Sequence, residues 1–98
     1  MRAVHKTGIT GVADTLGWIY YQKGAYQSSV GILQEALKIE RETNSPDNPR
    51  IHYHLGMAYA AAGQSAKAAD EYKLALTKSP STELAATITA ELKKIQTQ

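Results

Sequence analysis

The spacing of apolar and polar residues predicts a chain of amphipathic helices separated by turn signals. Over residues 10–23, small and large apolar residues recur at three- and four-residue intervals. They form one stripe, which we expect to face the hairpin core, made of Ala13, Leu16, Gly17 and Tyr20. Gly24 then marks a helix end. The same reasoning predicts four more helices, over residues 26–43, 49–63 and 65–78 and from an N-cap at Ser81 or Thr82 to the end.

An internal repeat organises these helices. The segment LGWIYYQKG at residues 16–24 aligns with LGMAYAAAG at residues 55–63, 39 positions later, and Leu, Gly, Tyr and Gly are shared. The same offset continues into the following helix, where it pairs Leu33 with Tyr72, Ala36 with Ala75 and Leu37 with Leu76. A period of this length indicates a stack of helical hairpins rather than one irregular bundle.

Two glycines stand at equivalent positions in the middle of predicted helices. A glycine there costs about 1 kcal/mol relative to alanine, so Gly17 and Gly56 require a compensating gain. We expect close approach of the second helix of each hairpin, with Ala36 and Ala75 supplying the complementary small surface.

These residues resemble the tetratricopeptide repeat, whose pattern is W-x2-L-G-x2-Y, then A-x3-F, then P. The first unit has Leu16-Gly17-x2-Tyr20 and Ser29-x3-Leu33, and the second has Leu55-Gly56-x2-Tyr59, Ala68-x3-Tyr72 and Pro80. Ala13 and His52 replace the family's tryptophan, and the first unit lacks the proline.

The resemblance implies an all-α fold, a right-handed α-solenoid fragment of about five helices. It divides the chain into an N-terminal segment that is flexible or a remnant of a preceding element, a first repeat, an insertion or linker, a second repeat and a C-terminal capping helix, at residues 1–9, 10–43, 44–48, 49–80 and 81–98. More loosely, ADTLGWIYYQKGAY and SPDNPRIHYHLGMAYAAAG are similar to the C-terminal repeats of bacterial tetratricopeptide proteins associated with exopolysaccharide export and PEP-CTERM sorting.

A second face of the first helices carries the candidate binding residues. In this family the corresponding face is the concave groove that holds an extended peptide or a helix, so the resemblance implies a protein or peptide partner. The predicted groove residues are Asp14, Trp18, Tyr21, Arg50, Tyr53, His54 and Met57. Aromatic residues, Met and Arg are enriched at the centres of interfaces. The alternative is that Trp18 and Tyr21 only pack against neighbouring helices.

A third face of the first predicted helix carries Val12 and Ile19, whose counterparts are Ile51 and Ala58. In a stacked array this edge meets the preceding repeat. We therefore expect that a longer parent array covers it, or that the chain is the C-terminal end of a bacterial scaffold and self-associates there as a homodimer.

The rest of the composition indicates neither a catalytic site nor a metal or nucleic-acid site. The 98 residues include no cysteine and carry a net charge of +2 without a basic cluster, which argues against thiolate sites and nucleic-acid binding. His52 and His54 are two apart on a helix and diverge by about 200°, so they cannot share one metal ion. We expect His52 to be a packed, hydrogen-bonded histidine on the core-facing stripe. We find no catalytic constellation and expect neither cofactor nor enzymatic activity. No membrane span or signal peptide is recognisable, and the compartment stays open.

Overall fold

The computed structural model describes residues 2–44 and 48–96, with side-chain detail for residues 11–44 and 48–96. Five helices follow one another: α1 (Arg2–Gln22), α2 (Tyr26–Glu42), α3 (Pro49–Ala61), α4 (Ser65–Leu76) and α5 (Thr82–Gln96). The described residues contain no strand, and the all-α prediction is confirmed. The predicted insertion at residues 44–48 lies partly outside the described residues.

The first helix begins earlier than the sequence pattern predicts. It starts at Arg2 rather than near Thr10. Residues 2–9 contain no proline, and the single glycine among them, Gly8, costs a helix only about 1 kcal/mol, so nothing in this segment stops helix propagation.

The helices form two hairpins and a terminal helix. α1 packs against α2 and α3 packs against α4, while α2 also contacts α3, and α5 contacts both α4 and α3. Short connections reverse the chain between successive helices, so α1, α3 and α5 run in the same direction. The first helices of the two hairpins, α1 and α3, contact each other directly.

The same turn closes both hairpins. Gly24 and Gly63 adopt positive φ angles of 84° and 83°, a conformation that glycine reaches without a Cβ penalty. The residue after each glycine donates its backbone N–H back to a tyrosine carbonyl, from Ala25 to Tyr20 at 2.9 Å and from Gln64 to Tyr59 at 2.8 Å. This is the Schellman arrangement, which satisfies carbonyl groups that the helix end would otherwise leave unpaired.

Glycine allows the two helices of each hairpin to touch. A Cβ built on Gly17 would lie 2.7 Å from Leu33 Cγ, and one built on Gly56 would lie 2.5 Å from Tyr72 Cε1. The close approach is confirmed, but the complementary residues are Leu33 and Tyr72, not Ala36 and Ala75. Large side chains fill these positions because a missing Cβ leaves a depression into which one bulky group fits.

The second hairpin and its contact with α2 contain most of the core. The fully or nearly fully buried apolar residues are Val30, Leu33, Ala36, Leu37, Ile51, Leu55, Ala58, Tyr59, Ala68, Tyr72, Ala75 and Ile88. The prediction that Leu16 belongs to the core is wrong, because Leu16 is 41% exposed whereas its repeat counterpart Leu55 is 1% exposed. α2 packs on α3, and no described helix covers the matching face of α1.

Side-chain hydrogen bonds tie the elements together. Ser29 donates its hydroxyl to the Gly17 carbonyl at 2.7 Å, and Gln34 donates its amide to the Tyr59 hydroxyl at 2.7 Å. The first bond lies within hairpin one and the second joins the hairpins. At the last helix, the Ser81 hydroxyl accepts the Leu84 N–H at 3.2 Å, so Ser81 is the N-cap.

The glycine contacts predict opposite effects of one substitution at two helical positions. Gly56→Ala places a Cβ against the buried Tyr72 ring and should lower the free energy of unfolding by about 1–3 kcal/mol. Gly31→Ala in α2 meets no atom within 4 Å and should raise it by about 0.5–1 kcal/mol. Urea denaturation followed by circular dichroism measures both, and equal effects at the two positions would contradict the packing role of Gly56.

Candidate partner-binding groove

Large side chains line one face of the paired helices α1 and α3. Trp18 and Tyr21 lie in the last turns of α1, and Tyr53 and Met57 lie in the body of α3. All four are half-buried. Arg50, in the first turn of α3, is exposed at the other end of this face. The face therefore offers aromatic and thioether surface that is held by the fold but still accessible.

Trp18 is at the centre of an aromatic cluster. Its ring stacks on Tyr21 with centroids 4.7 Å apart and on the imidazole of His54 with centroids 4.3 Å apart. Tyr53 lies 6.4 Å from the Trp18 ring in a tilted orientation. These distances are within the range in which aromatic pairs stabilise one another beyond their buried area. The ring positions are consequently set before any partner arrives.

Beneath Trp18, a buried polar pair joins the two hairpins. The Nδ1 atom of His54 lies 2.6 Å from Oδ1 of Asp14, and both residues are 8% exposed. The predictions that His54 is a groove or surface residue and that Asp14 lines the groove are both wrong, because the Trp18 ring stacks on the His54 imidazole and the two buried side chains bond to each other. The pair therefore supports the Trp18 ring from below and does not line the accessible face.

Two tyrosines that sequence reasoning left out of the site also contact it. Tyr26 in α2 lies 5.6 Å from the Tyr21 ring, because the Gly24 turn brings the start of α2 back against the end of α1. Tyr72, fully buried in α4, donates its hydroxyl to Met57 Sδ at 3.2 Å. The sequence could have predicted the contact of Tyr26 with Tyr21, because the two residues lie close together on either side of a helix-ending glycine.

The terminal helix contributes an acidic group to this region. Burial raises the pKa of Tyr53, and the carboxylate of Glu91 in α5 raises it further. The pKa of Tyr72 is likewise raised, first by burial and then by Glu91. For Tyr21, burial again has the largest effect, followed by Tyr26 and Glu91. The negative charge of Glu91 thus contributes to the raised pKa of tyrosines from three different helices.

The predicted edge of α1 is open in the described part of the chain. Val12 is 69% exposed and Ile19 is 40% exposed, whereas their counterparts Ile51 and Ala58 are 1% and 0% exposed. With Gly11, Thr15 and Leu16, they line a shallow apolar depression. Helix α2 supplies the cover for α3.

The other histidine of α3, His52, pairs with Glu71 outside the face that carries Trp18 and Met57. His52 is 5% exposed and its Nδ1 lies 2.7 Å from Glu71 Oε1, which confirms the prediction of a packed, hydrogen-bonded histidine. Among the described residues, no group of three or more His, Asp or Glu side chains is arranged to hold a metal ion. Within the same residues, no helix has the length and apolar character needed to cross a membrane.

Two stacked helical hairpins followed by a terminal helix define a helical-repeat protein. The sequence profile named Tetratricopeptide repeat matches residues 15–82, more than half of the chain. The chain belongs to the tetratricopeptide repeat family. Searches of curated proteins and of solved structures give no match. The family suggests a protein–protein interaction module, and its repeats are typically non-enzymatic.

The buried pair predicts energetic coupling between the hairpins. In a double-mutant cycle, Asp14→Ala and His54→Ala should each destabilise the fold, and their combination should fall short of additivity by about 1–3 kcal/mol because either change alone removes the bond. Urea denaturation of the four proteins measures the coupling.

Asp14→Ala combined with His52→Ala provides the control, since these two residues belong to separate pairs. Their effects should add within about 0.5 kcal/mol. If the effects of Asp14→Ala and His54→Ala on the free energy of unfolding are also additive, this pair does not link α1 to α3.

Proposed function

We propose that this chain is a non-enzymatic protein-interaction module that binds a peptide or a helix in the groove lined by Trp18, Tyr21, Tyr53 and Met57. The aromatic cluster around Trp18 carries the proposal. The Trp18 ring stacks on Tyr21 at 4.7 Å and on the buried His54 at 4.3 Å, yet Trp18 and Tyr21 are half-buried rather than sealed in the core. Arg50 adds an accessible charge to this surface, and the buried Asp14–His54 pair supports the surface from below.

These side chains are already held in place in the free protein, and this favours binding. Immobilising a flexible side chain on association costs about 0.5–1.5 kcal/mol, and side chains that the free protein already holds avoid most of that cost. Trp18 is held by Tyr21 and His54, and Met57 is held by the Tyr72 hydroxyl. The groove is thus preorganised for a partner that contributes apolar contact area.

The burial pattern separates groove residues from core residues. Leu33 and Tyr72, at equivalent positions in the repeat, are 0% exposed and fill the spaces beside the glycines. Trp18 and Met57, which also occupy equivalent positions, are half-buried. Large apolar side chains that remain accessible at equivalent positions of both repeats are the expected property of a shared binding face.

Trp18 provides the test. A random-peptide library displayed on phage and selected on the immobilised chain should yield binders, and Trp18→Ala should weaken them about 30-fold, since truncating an interface tryptophan typically costs 2 kcal/mol or more. Trp18→Phe keeps a ring on His54 and should weaken binding less. Isothermal titration calorimetry with synthetic copies of the selected peptides measures the loss.

Tyr20→Ala is the matched control, because Tyr20 is a half-buried aromatic residue on the same helix but outside the groove. It should leave peptide affinity within about twofold. Far-ultraviolet circular dichroism verifies that every variant stays helical. Selected binders that keep full affinity for Trp18→Ala and Trp18→Phe would show that the groove is not the binding site.

A second candidate function is self-association through the edge of α1. The contrast between Val12 at 69% and Ile51 at 1% exposure favours it, because the same repeat position is covered by a helix in the second hairpin and by none of the described residues in the first. A second copy, placing its own Val12, Leu16 and Ile19 against these residues, would bury an apolar surface on each chain.

Light scattering tests this second function. The chain should form a dimer, and Ile19→Lys should raise the dimer dissociation constant at least about tenfold, because a lysine at the contact must be buried or must prevent contact. Leu74→Lys in α4 is the control, since Leu74 is 42% exposed but lies outside the α1 edge. A chain that stays monomeric at high concentration would exclude the dimer.

A further inference from the structure

We propose that the groove recognises a basic side chain, lysine or arginine, on its partner, and that Glu91 of α5 is the acidic group that selects it. This inference rests on the proposed function, because it names the partner chemistry of the same groove. It adds a polar requirement to a surface that is otherwise aromatic and apolar, and it assigns a binding residue to the terminal helix.

Glu91 is placed at the groove by the repeat geometry. α5 packs on α4 and also contacts α3, and it runs in the same direction as α3 and α1. Glu91 lies 34 residues after Met57, and 34 residues is the length of one tetratricopeptide repeat. Glu91 therefore occupies the repeat position that Trp18 occupies on α1 and Met57 on α3. The three residues form one row across α1, α3 and α5.

Burial raises the pKa of Tyr21, Tyr53 and Tyr72, and the negative charge of Glu91 adds to the rise at each. The rings of Tyr53 and Tyr72 lie 6.4 Å apart, and the Tyr53 ring lies 6.4 Å from that of Trp18. A carboxylate beside aromatic rings attracts a cation both by charge and through the ring faces.

The other acidic residue of the site is already engaged. Asp14 is buried and bonded to His54, so its carboxylate faces the interior instead of a partner. The Glu91 side chain remains 25% exposed and lies 3.2 Å from Nζ of Lys94, whose side chain is 68% exposed. A largely exposed pair of this kind contributes little, so a partner cation can compete with Lys94 for the Glu91 carboxylate.

The peptide library identifies the preference. Peptides selected on the native chain should be enriched in lysine or arginine, and peptides selected on Glu91→Gln should lose that enrichment. For a synthetic basic binder, Glu91→Gln should weaken affinity about threefold to tenfold, and Lys94→Gln should strengthen it, since it removes the competing cation. Glu83→Gln, an exposed acid in the first turn of α5, is the matched control and should change neither.

The possible results separate this inference from the proposed function. In one outcome, the selected peptides depend on Trp18 yet show no enrichment in lysine or arginine and no response to Glu91→Gln. This result would overturn the inference but not the proposed binding in the groove. A library without any Trp18-dependent binder would overturn both. A selection that favours acidic peptides would place Arg50 rather than Glu91 as the charged determinant and would also overturn the inference.

A titration without any ligand verifies the position of Glu91. Because a nearby carboxylate raises the pKa of a tyrosine hydroxyl, Glu91→Gln should lower the pKa values of Tyr21 and Tyr53. The absorbance of the six tyrosines during alkaline titration of native and variant chains measures the shift. Identical titration curves would mean that Glu91 does not face these rings, and the inference would fail.

Discussion

Contact between a glycine of one helix and a large side chain of the next determines the spacing on which the rest of the structure depends. The Leu33 side chain lies against Gly17 and the Tyr72 ring lies against Gly56, at distances that leave no room for a Cβ. Two helices that approach this closely bury the surface between them completely, which offsets the roughly 1 kcal/mol that each mid-helix glycine costs. The approach also aligns the backbones, so that the Ser29 hydroxyl reaches the Gly17 carbonyl. Each hairpin is therefore a rigid unit with a defined shape.

The half-buried aromatic face follows from how these units stack. α1 and α3 lie side by side, and the residue after each glycine points about 100° away from the glycine, onto the face where large side chains stay accessible. That residue is Trp18 in the first hairpin and Met57 in the second. The buried pair of Asp14 and His54 lies directly under Trp18 and joins the hairpins, so the geometry of the stack and the orientation of the indole are set by the same contact.

Much of the fold was predictable because its determinants are local or repeat along the chain. Helix-ending glycines at 24 and 63 and the helical spacing of apolar residues locate the hairpins without knowledge of their packing. The prediction of which side chains are buried was less accurate, because burial depends on which helix covers a given surface. Leu16 and Leu55 are identical in type and repeat position, yet one is 41% and the other 1% exposed. His54 was expected at the surface for the same reason, since only the neighbouring helix supplies the ring and the carboxylate that bury it.

The sequence by itself determined the repeat, the helices, the close approach at its glycines and the family, because each is encoded by residues within one period or by the period itself. The tertiary structure decided which large side chain enters each space beside a glycine, which histidine pairs with which acid, and how Tyr26 comes to lie beside the Tyr21 ring of α1. These contacts join residues on different helices, and their distances depend on the angle and depth of helix packing. That angle is a property of all the packed side chains together, so no single segment specifies it.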